Sequence, residues 1–535
     1  MKKNSLTSAI IAGVAGVAGL AGVANAVHLN PDGIGQVLLY PYYTVNADNA
    51  TLISVVNTAD VAKAVKVRFL EGLNSAEVLD FNLYLSAHDV WTGEIKLEGG
   101  KPGLLTNDNS CISPRSLTGV FEQFRNYEFN YWSPDKLGVS SSPLNATRML
   151  QGHVEILEMG DLDGYPAAAA THKADGVPLN CAYLRNEWNS SNAGTWLSEA
   201  GANGTGNHNV NPPGSGYIDE DGEVAFNEFG GPGGIFGGGV IVNVPAGTSF
   251  SYNAYAINGF YTMDANLHYR PGTIFPHLGM AQNEPGYAIA TVFDAAGNPF
   301  DLGFESGSTA DAPSAVSAVL SARYVANEYV SIPGFASSDW VVTFPTKRLH
   351  TYRKPANSTT APGLAPFSVA QGAGSAGDRE DNIFMGSWPE TITVQYWDRE
   401  EGTPVEPVQP GDVSPLPPPG EPDVLAFRQE ANVFAFVPPS EFEEDMASPV
   451  LGTPQDLGAS ILPLEDGFVA GWARIGFTNT LTSDPDLGDG AYTITGLPII
   501  GFWAVNFVGT DVVGGVVANY TFAHPHRVVR DISVE

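Results

Sequence analysis

Cysteine, positive charge and long apolar runs are all scarce in this chain, and each shortage narrows what it can be. Two cysteines, Cys111 and Cys181, occur in 535 residues, so a disulfide framework reduces to a single bridge. Lys and Arg number 25 against 58 Asp and Glu, a formal net charge of −33. A surface so poor in cations cannot line up Lys and Arg along phosphates, which sets nucleic acid aside as a partner. Past residue 26 no segment supplies the roughly 20 apolar residues that a membrane-spanning helix takes. The chain also lacks a Gly-x-Ser-x-Gly elbow and a His-Glu-x-x-His zinc helix. The glycine-rich run 230–239 has no Gly-Lys-Ser/Thr ending and leads into the strand-like Val240–Val244 rather than a helix. It reads as a surface loop, not a phosphate cradle.

What is present begins with an export signal. Lys2 and Lys3 precede an apolar run from Ala9 to Val23 and the small-residue site Ala24-Asn25-Ala26, the order of a secretory signal peptide over residues 1–26. Mature chain would start at Val27, and losing the two lysines takes the charge from −33 to −35. The product is expected outside the cell or at its surface, with the periplasm as the alternative. In that compartment Cys111 and Cys181 are expected to pair, closing a loop of 181 − 111 = 70 residues, worth about 4 kcal/mol by loop entropy. Two reduced, buried thiols are the alternative.

The remaining sequence reads as β-structure. Gly 60, Pro 39 and 10% aromatics fit a turn-rich, folded β-protein. Val65, Val67 and Phe69 alternate with Lys66 and Arg68; Leu79, Phe81, Leu83 and Leu85 alternate with Asp80, Asn82 and Tyr84. Both are period-two patterns of half-buried strands, joined by the turn Glu71–Ser75. Further strands are expected at Gln36–Tyr40, His153–Leu157, Val240–Val244, Phe250–Ala256, Asp339–Arg348, Thr391–Trp397, Val433–Val437, Gly471–Phe477, Ile499–Phe507 and Val516–Phe522. Helical spacing appears at Leu117–Phe124, at Cys181–Trp188 with Asn180 as N-cap, and at Ser314–Tyr329.

The expected fold is therefore mainly β, a multidomain antiparallel β-sandwich with immunoglobulin-like units and a few short helices in the middle region. The expected division is an immunoglobulin-like domain at 27–99, a β-rich middle domain with helical insertions and the glycine-rich loop at 100–353, and a linker or long loop at 354–384. A C-terminal β-sandwich at 385–535 follows, interrupted by a proline-rich excursion at 410–423.

The segments Asp339–Arg348, Tyr396–Glu401, Gly471–Phe477, Leu497–Phe502 and Ala518–Tyr520 with His526 and Arg527 resemble recurring features of uncharacterised bacterial secreted or cell-surface β-rich proteins. The resemblance covers most of the mature chain and implies export and a surface role, with no activity or catalytic residues attached.

Candidate ligand sites are few. Asp161–Gly164, Asp219–Gly222 and Asp484-Pro485-Asp486-Leu487-Gly488-Asp489-Gly490 space carboxylates closely enough for a weak extracellular calcium site, and Asp484, Asp486 and Asp489 are the preferred set. Ordinary acidic turns are the alternative for each. His524 and His526 fall on one side of a strand, a conceivable surface metal pair without a third ligand. No catalytic residue stands out. The expected function is that of a secreted, non-enzymatic surface protein with a structural, adhesive or interaction role, contacting surface or matrix components, protein or glycan. The alternative is an extracellular carbohydrate-binding or glycoside-hydrolysing protein, for which Trp188, Trp196, Trp397 and Trp472 would be the sugar platforms.

Overall fold

The computed structural model describes residues 26–127, 147–186, 188, 232–261, 267–305, 313–351, 365–368, 389–415, 425–512 and 516–534. The signal segment, the Asp219–Gly222 cluster and most of the 354–384 and proline-rich stretches lie outside them.

The chain is mainly β, arranged as largely antiparallel sheets packed face to face, with one parallel pair, Ala431–Val437 with Ala459–Pro463. The first sandwich has a seven-stranded sheet ordered β1 (His28–Leu29), β13 (Tyr255–Asn258), β2 (Val37–Thr44), β10 (Gln151–Leu162), β4 (Ala62–Glu71), β5 (Glu77–Leu85) and β8 (Cys111–Ser113). Its six-stranded partner runs β12 (Thr248–Asn253), β11 (Ile235–Asn243), β3 (Asn49–Asn57), β6 (Val90–Glu98), β7 (Lys101–Leu105) and β9 (Glu122–Gln123). The alternation at Val65, Val67, Phe69, Phe81 and Leu83 does place those side chains in the core between the sheets, with Ile53, Val55, Trp91, Val154 and Ile156. The segment 51–91 is divided between the two sheets. β4 pairs with β5 in one sheet while β3 pairs with β6 in the other. Residues 99–100 are the tight turn joining β6 to β7, and β10, from residue 151 onward, lies between β2 and β4.

The polar side of β4 departs from the sequence expectation. All ten residues of β4 are buried, because a second layer covers the outer face of the seven-stranded sheet. That layer holds Phe260, Tyr261 and Leu267, the hairpin of β14 (Tyr287–Phe293) with β15 (Pro299–Glu305), and the helix Ser314–Leu320. Lys66 and Arg68 are therefore interior cations.

The second sandwich stacks a four-stranded sheet, ordered Thr393–Asp398, Ala470–Gly476, Tyr324–Val330 and Arg527–Val529, on a five-stranded one. The latter runs Ala459–Pro463, Ala431–Val437, Ala336–Thr343, Ile500–Val512 and Val516–Pro525. Val325, Tyr329, Trp340, Phe434, Phe436, Ile475 and Trp503 fill the space between them. The far face of the five-stranded sheet contributes Val341, Val433, Phe502 and Ala504 to the first sandwich's core. There the Tyr252 and Phe502 rings stack at 5.0 Å.

Two helices expected from spacing differ from the structure. Ser314–Leu320 is helical, but the chain then turns into strand at Tyr324–Val330, which pairs along its full length with Ala470–Gly476. Here sheet pairing overrides a helical spacing of apolar residues. Leu117–Phe124 forms no helix. Gly119 sits at φ 68°, and Glu122–Gln123 pairs with β7.

Candidate functional site

The outer face of the four-stranded sheet is open to solvent, and its side chains follow from strict alternation. Val394, Tyr396, Ala473, Ile475, Val325 and Tyr329 point inward and are buried, which turns Gln395, Trp397, Trp472, Arg474, Tyr324 and Glu328 outward. Register puts Trp397 opposite Trp472 and Trp472 opposite Glu328; Gln395 lies opposite Arg474. The two indoles stack with centroids 4.2 Å apart and planes 11° from parallel. Arg474 lies over both the Tyr324 ring, at 4.8 Å, and the Trp397 ring, at 5.4 Å, and its Nε donates to Gln395 Oε1 at 2.7 Å. Arg323 covers the Tyr324 ring as well, at 5.3 Å. These contacts fix an otherwise flexible row of large side chains. Trp472 nevertheless keeps 42% of its surface exposed.

A cleft of about 600 Å³ adjoins the pair, bounded by Glu328, Trp397, Asp398, Arg399, Glu401 and Trp472. Its rim is the charged turn Asp398–Gly402. Asp398 Oδ1 accepts from the backbone N–H of Glu400 at 3.0 Å and of Gly402 at 2.6 Å, and Glu401 sits at φ 67°. Gly471 is required beneath the cleft, since a Cβ there would lie 1.8 Å from the Trp397 carbonyl oxygen. An exposed indole face beside carboxylates and a guanidinium can stack on the apolar face of a pyranose and hydrogen-bond its hydroxyls.

A second cleft, about 680 Å³, opens where the two sandwiches meet, with Tyr252, Phe293, Phe502, His524 and Arg530 in its wall. Arg530 donates from Nη2 to the Val319 carbonyl at 2.9 Å, and burial lowers its pKa. One partly desolvated guanidinium against aromatic walls fits an organic anion better than a neutral sugar.

Beneath these surfaces lie buried ion pairs. Arg68 joins Glu77 Oε2 and Glu155 Oε2, each at 2.7 Å, and Lys66 reaches Asp80 at 2.5 Å. Glu71 accepts from Arg148 through both oxygens, at 2.7 and 2.6 Å, and from the N–H groups of Leu73, Asn74 and Ala76. That arrangement holds its carboxyl below the usual range despite burial. Across the junction, Glu430 meets Ser75 Oγ, and its own N–H donates to the Gly72 carbonyl at 3.1 Å. Burial pushes the Glu430 carboxyl up to about 8. None of these charged clusters was singled out as a site in the sequence. The signal that pointed to them was charge inside strongly apolar strands, as in Val65–Phe69 and Val154–Met159.

The sites expected from sequence are placed as follows. Cys111, on β8, and Cys181, opening the helix Cys181–Asn186, are disulfide-bonded with Cα atoms 5.1 Å apart. Asn180 Oδ1 accepts from Tyr183 N–H at 3.1 Å, the capping contact anticipated for that helix. Trp188 is buried, donating to Tyr84 Oη at 2.9 Å, and so is no platform; Trp196 lies outside the described residues. His526 is buried with Nε2 2.8 Å from the Val341 carbonyl, while His524 lines the second cleft, so the two do not form a metal pair.

Around Asp484, the Asp486 N–H donates to Asp484 Oδ1 at 2.9 Å, and Asp489 Oδ2 accepts from Asp301 N–H at 3.1 Å. Asp161 pairs with Lys63, and Asp163 caps the helix Gly164–Ala170. Among the described residues no group of three or more His, Cys, Asp or Glu side chains is arranged to hold a metal ion, and no helix is long and apolar enough to cross a membrane.

In comparisons with protein families, with curated proteins and with solved structures, nothing matches this chain.

Proposed function

We propose that this is an exported, non-enzymatic binding protein with an adhesive or interaction role, and that the Trp397/Trp472 face is its recognition surface for carbohydrate. The stacked indole pair on an otherwise solvated sheet face carries this reading. Nothing in the core requires two tryptophans there, since the inward positions of the same strands already fill it. The exposed Trp472 ring is held by stacking on Trp397, which Arg474 covers in turn, and a large aromatic fixed in this way loses little entropy on binding, a property of recognition surfaces rather than of solvated strands. Glu328, Asp398, Arg399 and Glu401 supply hydroxyl partners at the edge of the stack.

The test is a glycan array followed by calorimetry on the best binder, with Trp472→Ala alongside wild type. Binding weakened about tenfold or more, with an unchanged melting temperature, is expected. A blank array, or full binding by Trp472→Ala, refutes the assignment.

A further inference from the structure

Lys63, Glu158 and Asp161 meet inside the first sandwich in an arrangement that a simple ion pair does not need. Lys63 stands on β4, and both carboxylates stand on the adjacent β10, where Asp161 is the direct register partner of Lys63. Residues three apart on a regular strand face opposite sides. A register shift between Glu158 and Gly160 turns Asp161 back toward the amine, so that one bulge brings both acids to one nitrogen. Lys63 Nζ lies 2.5 Å from Glu158 Oε1 and 2.5 Å from Asp161 Oδ1. The Lys63 and Glu158 side chains are fully enclosed and that of Asp161 is 9% exposed. Glu158 Oε2 is oriented by the Gly233 N–H at 3.0 Å.

One ammonium with two carboxylates leaves an excess negative charge among side chains that are enclosed by protein. Burial answers it by keeping a proton on Glu158, whose carboxyl is pushed up to about 8. The same two acids hold Lys63 as an ammonium.

We propose that Lys63 and Asp161 condense into an intramolecular amide, with Glu158 as the acid that drives the condensation. Amide formation needs the neutral amine and acid, so the reacting pair first passes a proton from Nζ to the Asp161 carboxylate across their 2.5 Å contact. Nζ then attacks Asp161 Cγ, and Glu158 protonates the oxyanion that forms. Collapse of the tetrahedral intermediate breaks one C–O bond, and that oxygen leaves as water. Glu158 recovers its proton from Nζ, which keeps one hydrogen. An ammonium and a carboxylate become an amide and one water, with no oxidant and no co-reactant.

Lys66 provides an internal comparison. Its Nζ also touches a carboxylate, Asp80, at 2.5 Å, but that oxygen is shared with the Gly272 N–H, and no second acid contacts the amine among the described residues. The amide would covalently tie two central strands of the seven-stranded sheet.

Intact-mass spectrometry of the exported full-length protein tests this, with the N-terminal peptide fixing the start of the chain. With the Cys111–Cys181 disulfide reduced, the wild type should be lighter than its sequence by one water, and a digest should yield a branched peptide joining the segments that carry Lys63 and Asp161. Glu158→Gln should show the unaltered sequence mass. A wild-type mass equal to the sequence, linear peptides covering both residues, or a cross-link mapped to Lys66 overturns the proposal, whether or not the variant folds.

Discussion

Stability should fall as pH rises from 6.5 to 8, and Glu430 should account for a measurable share of the fall. Its carboxyl is fully buried where the second sandwich meets the Glu71–Ser75 turn and keeps its proton to about pH 8, against an ordinary value of 4.5. Between those values the folded chain binds more protons than the unfolded one. The contribution is therefore complete below 4.5 and lost as pH rises through 8. Glu158, also pushed up to about 8, acts in the same sense. Histidines kept neutral in the fold, His268, His350 and His526 buried and His277 half-buried, oppose it at lower pH. His268 and His350 are pushed down to about 3, and His277 and His526 to about 4, by burial, so their contribution is lost as pH falls below 6.5.

Above 6.5 the histidine contribution dwindles as the unfolded imidazoles lose their remaining protons, and the carboxyls dominate. For Glu430 alone, 1.5 pH units at about 1.4 kcal/mol each give about 2 kcal/mol between pH 6.5 and 8. Glu430→Gln, close in shape to the protonated acid, removes this share and cancels every other titration when compared with wild type. Urea unfolding followed by tryptophan fluorescence at pH 6.5, 7, 7.5 and 8 is the assay. Wild type and variant should be within about 1 kcal/mol at pH 6.5 and should converge or cross by pH 8. Parallel lines across the range would refute the reasoning.

Three further outcomes follow from the same packing. Arg148→Met leaves Glu71 as an uncompensated buried carboxylate and should cost about 3–5 kcal/mol in unfolding free energy, read by denaturant midpoint. Replacing Cys111 and Cys181 together by Ser should lower the melting temperature under non-reducing conditions, with up to about 4 kcal/mol of unfolding free energy lost for a separation of 70 residues. Wild type treated with reductant should approach the variant. Gly501→Ala should destabilise strongly, because its Cβ would sit 1.9 Å from the Val341 carbonyl oxygen in the five-stranded sheet; calorimetry would read the loss.

The strands were legible wherever one face was buried and the other was not. Thr393–Asp398 alternates cleanly because solvent lies on one side, so the outward placing of Trp397 follows from the sequence. β4 alternates just as cleanly, yet Lys66 and Arg68 are enclosed. Their cover comes from residues 260–261 and 267–305, some 200 positions away, and period-two spacing carries no information about a distant second layer. The helix drawn over Ser314–Tyr329 fails for a related reason. Its second half is held by Ala470–Gly476, a partner that no local window contains. Trp188 and Trp472 are both tryptophans in β-rich surroundings, and only the fold separates a core anchor from an exposed ring. The Lys63 cluster depends on a one-residue bulge in β10, which leaves the strand spacing in sequence unremarkable.

The five-stranded sheet serves two cores at once, giving Trp340 and Phe436 to one side and Val341 and Phe502 to the other. Adjacent residues of a single strand thus belong to different hydrophobic interiors. A chain cut near residue 312 would leave the first half with a bare apolar wall and the second with a sheet dressed on one side only. Neither piece is a portable module for fusion or exchange. Heating or denaturant should melt both in one transition, so a lesion near Trp472 and one near Trp91 should be felt as the same loss of the whole molecule.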